Sequence, residues 1–377
     1  LKPLRLYSLL NNLAISLVNP FVSFFTASYG ITGALLAIVS SANTAFPGII
    51  QYVLANLYIK AKKLIAIGSL FGGLLWILIG VYAIYNEYFV LVYSIISACL
   101  GAANFGWLLI LDKISTTHRG RTLAYYNFYA SIGGLIATLI TGFIVGNNLD
   151  LMRYFFIISG LIYAFNAYVI YNSDVDAEFA RGNGIKLFSS NLEVRKFILT
   201  NFIFTFVWSM AWPIFPLAQV YKFHMNEFQV AVINVTGGTS TLALQRLVGR
   251  LVDRHRKFVM FFGRFALATF PLAYAFSTTP YEIYIANLVS GFTNSASISY
   301  TAFLFDHSDY YEKRINIALY NMFNGIAALL GSTISSLMFN LISEWFSLAV
   351  AINIMLIGIG IMRMLMSLLY LKIKEVF

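Results

Sequence analysis

Residues 249–257 read Gly249-Arg250-Leu251-Val252-Asp253-Arg254-His255-Arg256-Lys257, a short basic punctuation between two long apolar runs. A similar mark stands 194 residues earlier, where Leu57 aligns with Leu251, Lys60 with Arg254, Lys62 with Arg256 and Lys63 with Lys257. The same shift, without a gap, sets Asp112 on Asp306, Arg119 on Lys313, Ala124 on Ala318, Tyr126 on Tyr320 and Asn127 on Asn321. A single basic loop recurs easily by chance. Two separate loops in one register indicate an internal duplication. Parallel repeats related by an axis along the membrane normal are a transporter architecture, with the solute site between the halves.

The runs between these marks decide the class. Of 377 residues, 59% are hydrophobic, 17% aromatic and 11% charged, and the mean hydropathy is +0.77. Such a chain cannot keep its surface in water, which excludes a soluble enzyme. Apolar segments fall at 6–28, 31–58, 64–85, 88–111, 122–146, 153–172, 197–221, 228–252, 258–278, 282–305, 315–340 and 346–371. Each is long enough to cross ~30 Å of hydrocarbon. The expected fold is therefore an all-α polytopic membrane protein, its twelve transmembrane helices arranged as two pseudo-symmetric six-helix bundles, 1–172 and 197–377. The linker at 173–196 holds Asp174, Asp176, Glu178, Arg181 and a Gly182-Asn183-Gly184 break. Span 1 carries Asn11, Asn12, Ser16 and Asn19, unlike the uninterrupted apolar core of a cleaved signal peptide. The chain starts at Leu1 rather than Met, which leaves room for a short leader ahead of it.

The net charge of +10 obeys the membrane rather than nucleic acid. The basic residues cluster at the termini and in the even-to-odd loops, whereas the opposite loops hold only Arg153 and Lys222. By the positive-inside rule both termini and the linker are expected to be cytoplasmic, in a multi-pass protein of the cell membrane. Cys99 is alone and can form no intrachain disulfide.

The 249–257 stretch resembles the loop signature of the major facilitator superfamily, G-x-L-x-D-R-x-G-R-[RK], with its second glycine deleted. The stretch Asp112 to Arg121, ending His118-Arg119-Gly120-Arg121, is similar to that family's loop between helices 4 and 5. Twelve spans, inside termini, a central linker and the repeat extend the likeness over the whole chain. One departure is in the first half, where Ile59 stands at the aspartate position and no glycine is present. The resemblance implies that helices 1, 4, 7 and 10 line a central cavity, helices 2, 5, 8 and 11 flank it, and helices 3, 6, 9 and 12 face lipid.

The polar residues agree with that division. Apart from Asn172 at the very end of its segment, Asn166 and Asn353 are the only Asn or Gln in the four supposed lipid-facing helices. Asn12, Ser16, Asn19 and Ser23 form one face of helix 1, and Asn201, Thr205, Trp208, Trp212 and Gln219 repeat it on helix 7. Asn127, Ser131 and Thr138 on helix 5, Asn234, Gly238, Thr241 and Gln245 on helix 8, and Asn287, Asn294 and Thr301 on helix 10 continue the pattern. Asn43, Gln51, Asn104 and Asn324 add single points. A hydrated cavity accounts for this segregation; the bland alternative is interhelical hydrogen bonding at roughly 0.6 kcal/mol each. Trp208 and Trp212 are placed to stack on a sugar or flat ring, or to serve as plain core aromatics, and Pro213 with Pro216 can hinge helix 7.

Every carboxylate and histidine lies in a loop or at a helix end, so ordinary carboxylate-based proton coupling has only Asp112 and Asp306 as candidates, both better read as gate residues. Arg246, Arg264 and Arg363 are the basic residues within spans. Counting from the cytoplasmic ends, each is only one to two turns deep, and snorkelling to the headgroups is the expected explanation. Arg246, on helix 8, is kept as a possible solute contact.

For the gate, the resemblance implies that Asp253 caps the first turn of helix 11, while Arg254, Arg256 or Lys257 pair with acids near the end of helix 10, Asp306 and Glu312 being the expected partners. Gly249, Arg119 and Arg121 belong to the same loop motifs, and Lys60, Lys62 and Lys63 face Asp112 in a weaker first-half latch. The expected function is secondary active or facilitative transport of a small neutral or weakly charged organic solute by rocker-switch alternating access. Export of amphiphiles, drugs or lipids is the alternative, and a transporter-like receptor that binds without moving solute is not separable by sequence. A membrane enzyme would need a nucleophile and base or metal ligands at bilayer depth, and none of the usual motifs appears. Expected partners are the solute, the bilayer and a coupling ion, with no cofactor, no metal, no nucleic acid and a monomeric state.

Overall fold

The computed structural model describes residues 2–55, 57, 59–114, 119–177, 188–308 and 312–374; of these, the side chains of residues 2, 112, 119–129, 305, 313 and 314 are not described. The described chain is helical from end to end, with no strand. Hydrocarbon offers no partner for backbone N–H and C=O groups, so apolar runs of this length must satisfy them within each helix.

Nine described helices are long and apolar enough to cross a membrane: Pro3–Ser28, Gly33–Ala55, Ala61–Tyr82, Glu87–Leu111, Leu149–Tyr171, Leu192–Lys222, Glu227–Phe276, Ile315–Ser343 and Leu348–Lys372. The 50-residue Glu227–Phe276 is about 75 Å of helix at 1.5 Å per residue, more than twice the hydrocarbon thickness. It is two spans, broken at His255 where φ is −141° and ψ is 49°. Arg119–Val145 and the wound segment from Pro280 to His307 complete the twelve in the expected order. We number these segments span 1 to span 12.

Several spans are interrupted. Span 1 breaks at Asn19-Pro20-Phe21, between helices Lys2–Val18 and Val22–Ser28. Span 7 is a helix at Leu192–Ser209, a turn through Pro213, and a π-helical exit at Ala218–Lys222. Each proline there removes a backbone donor, which frees the carbonyl one turn earlier.

The same neighbours recur in each half. Span 1 packs on spans 5 and 6 as span 7 packs on 11 and 12; span 3 packs on 6 as 9 packs on 12; span 2 packs on 4 as 8 packs on 10. The repeat read from two loops is thus a repeat of helix packing. Between the halves, span 2 lies along span 11 and span 5 along span 8, and spans 1 and 7 meet at their C-terminal ends. Large apolar side chains such as Phe71, Leu74, Phe143, Tyr168 and Ile361 are exposed around the perimeter, as a lipid-facing surface requires.

The two expected lipid-facing asparagines are turned inward. Asn166 is fully buried and donates to the Tyr7 carbonyl at 3.2 Å, and Asn353 accepts from Lys222 Nζ at 2.8 Å.

Candidate functional site

On the side away from the basic loops the halves are joined by polar contacts. Asn226 donates to Asn147 Oδ1 at 2.8 Å, the Glu227 amide donates to the Gly146 carbonyl at 3.1 Å, and the Tyr221 hydroxyl donates to the Ala27 carbonyl at 3.4 Å. Gly146 has φ +51°, a left-handed turn that suits glycine and aims its carbonyl across the interface. Deeper in the membrane, Asn321 of span 11 donates to Gln51 Oε1 of span 2 at 3.0 Å.

In the first half, Asn43 Nδ2 donates to the Tyr93 hydroxyl at 2.6 Å, and Ser97 donates to Asn43 Oδ1 at 3.2 Å, tying span 2 to span 4. Thr138 of span 5 donates to the Ser16 carbonyl of span 1 at 3.1 Å. Asn12 donates back to the Ser8 carbonyl at 3.1 Å, and half-buried Asn19 stands at the break of span 1. Asn104 is exposed on span 4. The side chain of Asn127 lies outside the described residues, as do those of Asp112, Arg119 and Arg121.

In the second half, Trp208 and Trp212 are half-buried and meet edge to face, with ring centroids 5.2 Å apart. Asn324 Oδ1 of span 11 accepts from Thr205 at 2.6 Å and from Asn201 Nδ2 at 3.1 Å. Asn294 donates to Thr241 at 3.1 Å, joining spans 10 and 8, and exposed Asn234 donates to the Val230 carbonyl at 2.9 Å. Arg246 is exposed on span 8.

At the end of the molecule that carries the basic loops, Arg256 Nη1 pairs with Asp306 Oδ2 at 2.7 Å. Exposed Asp253 and Arg254 and half-buried Lys257 make no ion pair among the described residues. Glu312 accepts from the Ser190 hydroxyl, and Gly249 faces open space.

Three features were not anticipated from sequence. First, Asp176 of the linker reaches the start of span 3: its Oδ1 accepts from the Lys62 amide at 3.0 Å, and its carbonyl accepts from Lys113 Nζ at 2.6 Å. A carboxylate at that helix N-terminus supplies what Ile59 lacks. Second, Lys222 donates to the carbonyls of Tyr274 and Ala275 at 2.7 and 2.8 Å and to Asn353, so all three of its protons have neutral acceptors.

Third, Arg264 and Arg363 do not snorkel. Arg264 is 5% exposed and Arg363 0%. Arg264 Nη2 donates to Asn201 Oδ1 at 2.7 Å, and its guanidinium lies 4.1 Å from the Tyr300 ring centroid and 4.8 Å from that of Phe204. Arg363 donates to the Leu267 carbonyl at 2.7 Å and to the Trp208 carbonyl. Inward ring faces and carbonyls hold these cations instead of headgroups. The signal available in sequence was the tyrosines at 300, 320 and 370, which a depth count ignores.

Comparison with known proteins adds the family dimension. The Major Facilitator Superfamily model matches residues 6–186 and 197–376. No curated protein matches the sequence. Among solved structures, an auto-inhibited POT family peptide transporter superposes with a TM-score of 0.79 at 10% identity, over 100% of this chain and 97% of that one. The nucleoside transporter NupG gives 0.73 at 13% identity over 100% and 99%, and a D-xylose-proton symporter 0.71 at 17% over 99% and 97%. At such identities the likeness establishes a shared fold.

Proposed function

The chain belongs to the Major Facilitator Superfamily, whose model covers both of its halves, and from that premise we propose that it moves a small neutral or weakly charged organic solute across the cell membrane. The bundles 1–172 and 197–377, joined by the 173–196 linker, rock about the solute in alternating access, with both termini cytoplasmic and the monomer as the working unit. Transport is secondary active or facilitative.

The observation that carries this reading is the polar wall shared by spans 7 and 11, where Asn201, Thr205 and Asn324 are hydrogen-bonded and the half-buried Trp208–Trp212 pair follows Thr205 by one turn of span 7. Membrane interiors tolerate such polarity where helices bind one another or line a solute path. The outer contacts Asn147–Asn226, Gly146–Glu227 and Ala27–Tyr221 support a state closed to the outside. Breaking them while re-forming cytoplasmic contacts is the other half of the cycle. We assign Arg256 and Asp306 to the cytoplasmic gate, with Asp253, Arg254, Lys257, Glu312, Asp112, Arg119 and Arg121 around it.

The test is solute uptake into proteoliposomes, guided by a thermal-shift screen of sugars, nucleosides, peptides, amino acids and organic anions. A ligand at 100 times its Kd adds about 2.7 kcal/mol to the native state, which such a screen detects. Saturable, counterflow-stimulated flux of a stabilising solute is expected. Binding without any flux would overturn transport in favour of a receptor.

A further inference from the structure

Arg264 and Arg363 place two guanidinium groups inside the second half, and neither makes an ion pair among the described residues. Every acceptor they reach among the described residues is neutral, and the Nε of each has no partner there. Burying a cation without a carboxylate is unfavourable, and ring faces and amide dipoles offset only part of that. The repeat does not demand it: 194 residues earlier, the matching positions are Leu70 and Val169. The charge is specific to this half.

A chain of amides leads from Arg264 towards the wall between the bundles. A guanidinium only donates, so Asn201 must turn Oδ1 to it. That oxygen also accepts from the Tyr370 hydroxyl at 2.9 Å and the Tyr320 hydroxyl at 3.4 Å. Asn201 Nδ2 is therefore turned away and donates to Asn324 Oδ1 at 3.1 Å, an oxygen already held by Thr205 at 2.6 Å. With its oxygen committed, Asn324 presents Nδ2 as a donor with no acceptor among the described residues. Each bond polarises the next in the same direction. Asn324 is half-buried and stands eleven residues into Lys313–Ser343, about 17 Å along a helix of about 46 Å at 1.5 Å per residue, within the apolar length of span 11.

We propose that the relay Arg264–Asn201–Asn324 projects the buried charge to the solute path and makes Asn324 the docking point for the carboxylate of an organic anion. The half-buried Trp208–Trp212 pair, which follows Thr205 by one turn of span 7, takes the apolar or flat body of that solute. Trp208 is bound to both cations: its ring lies 5.4 Å from the Arg264 guanidinium and its carbonyl accepts from Arg363. This assignment names a solute class and rests on the transport reading above.

A charge series on one ring tests it. Benzoate, benzamide and benzylamine are titrated against the full-length purified protein in nanodiscs, followed by tryptophan fluorescence and thermal midpoint. Benzoate is expected to bind at least tenfold more tightly than the other two. Arg264→Gln and Asn324→Asp each weaken benzoate at least tenfold, whereas Arg264→Lys, which keeps the charge, loses less than Arg264→Gln. Asn324→Asp changes a half-buried position, so it reports even where Arg264→Gln fails to fold. Absence of benzoate binding, equal binding of benzamide, or benzoate binding indifferent to Asn324→Asp would each overturn the anion site. Uptake of radiolabelled benzoate into proteoliposomes separates the two readings. Binding without saturable uptake removes transport and leaves the site; saturable uptake of an uncharged solute without benzoate binding removes the site and leaves transport.

Discussion

Gly48 of span 2 lies directly against the backbone of Asn321 in span 11: a Cβ at Gly48 would overlap the Asn321 carbonyl oxygen and stand 3.0 Å from its carbon. The obstacle is main chain and cannot rotate away. Gly48→Ala is expected to cost about 1–3 kcal/mol through forced separation of the helices and to reduce solute flux. Gly249→Ala faces open space and is expected to raise stability by up to about 1 kcal/mol, as alanine does for glycine in a helix. Thermal midpoints of the two variants, moving in opposite directions, check this.

Asp176 is expected to act as the missing aspartate of the first half. Asp176→Ala removes the acceptor for the Lys62 amide at the start of span 3 and should destabilise the protein by about 1 kcal/mol. Asp176→Asn keeps an oxygen there and should lose less. Placing the carboxylate in the loop itself, Ile59→Asp in the Asp176→Ala background, should recover part of the loss in a chemical-denaturation series.

The Arg256–Asp306 pair is half open to water, with Asp306 53% exposed. Such a pair is worth about 0–1 kcal/mol, so Asp306→Asn should leave the midpoint almost unchanged. Its effect should instead appear in conformation, as altered labelling of a cysteine placed on the cytoplasmic side. Asp253→Asn is expected to shift the same readout towards inward-open; unchanged labelling would remove Asp253 from the gate.

Lys222 holds the outer end of span 7 to spans 9 and 12. Lys222→Met strips the donors from the Tyr274 and Ala275 carbonyls and from Asn353 and should cost about 1–3 kcal/mol. The companion change Asn353→Leu should then add less in the double variant than alone, a non-additivity that a double-mutant cycle reads directly.

Trp208 separates two roles by substitution. Trp208→Phe preserves an aromatic face for Arg264, and Trp208→Ala removes it. If the ring also contacts solute, both variants weaken solute binding, and only Trp208→Ala lowers the midpoint strongly. Isothermal binding and thermal unfolding measured on the same preparations give the two effects separately.

Much of this was legible in the residues. Apolar runs at 64–85 and 88–111 became Ala61–Tyr82 and Glu87–Ile114, because in hydrocarbon the length of an apolar run and the start of a helix are governed by the same backbone accounting. The periodic face Asn201–Thr205–Trp208–Trp212 was visible because helical spacing is local. What that face touches was not. Sequence gives only the distance of Arg264 from the end of its span, whereas whether a guanidinium snorkels or turns inward depends on the helices beside it. Tyr300, Tyr320 and Tyr370 come from three different spans. The role of Asp176 is hidden in the sequence for the same reason, since it is remote from the helix end that it serves.

The sequence by itself determined the solvent, the spans and a repeat of 194 residues, since hydropathy and periodicity are properties of contiguous chain. Only the tertiary structure decided which way Arg264 and Arg363 face, which asparagine oxygens are spent and which nitrogen remains, and where glycine brings span 2 against span 11. Those are properties of convergence: a hydrogen-bond donor or a buried charge acquires its meaning from partners that the fold, and not the neighbouring residues, brings within about 3 Å.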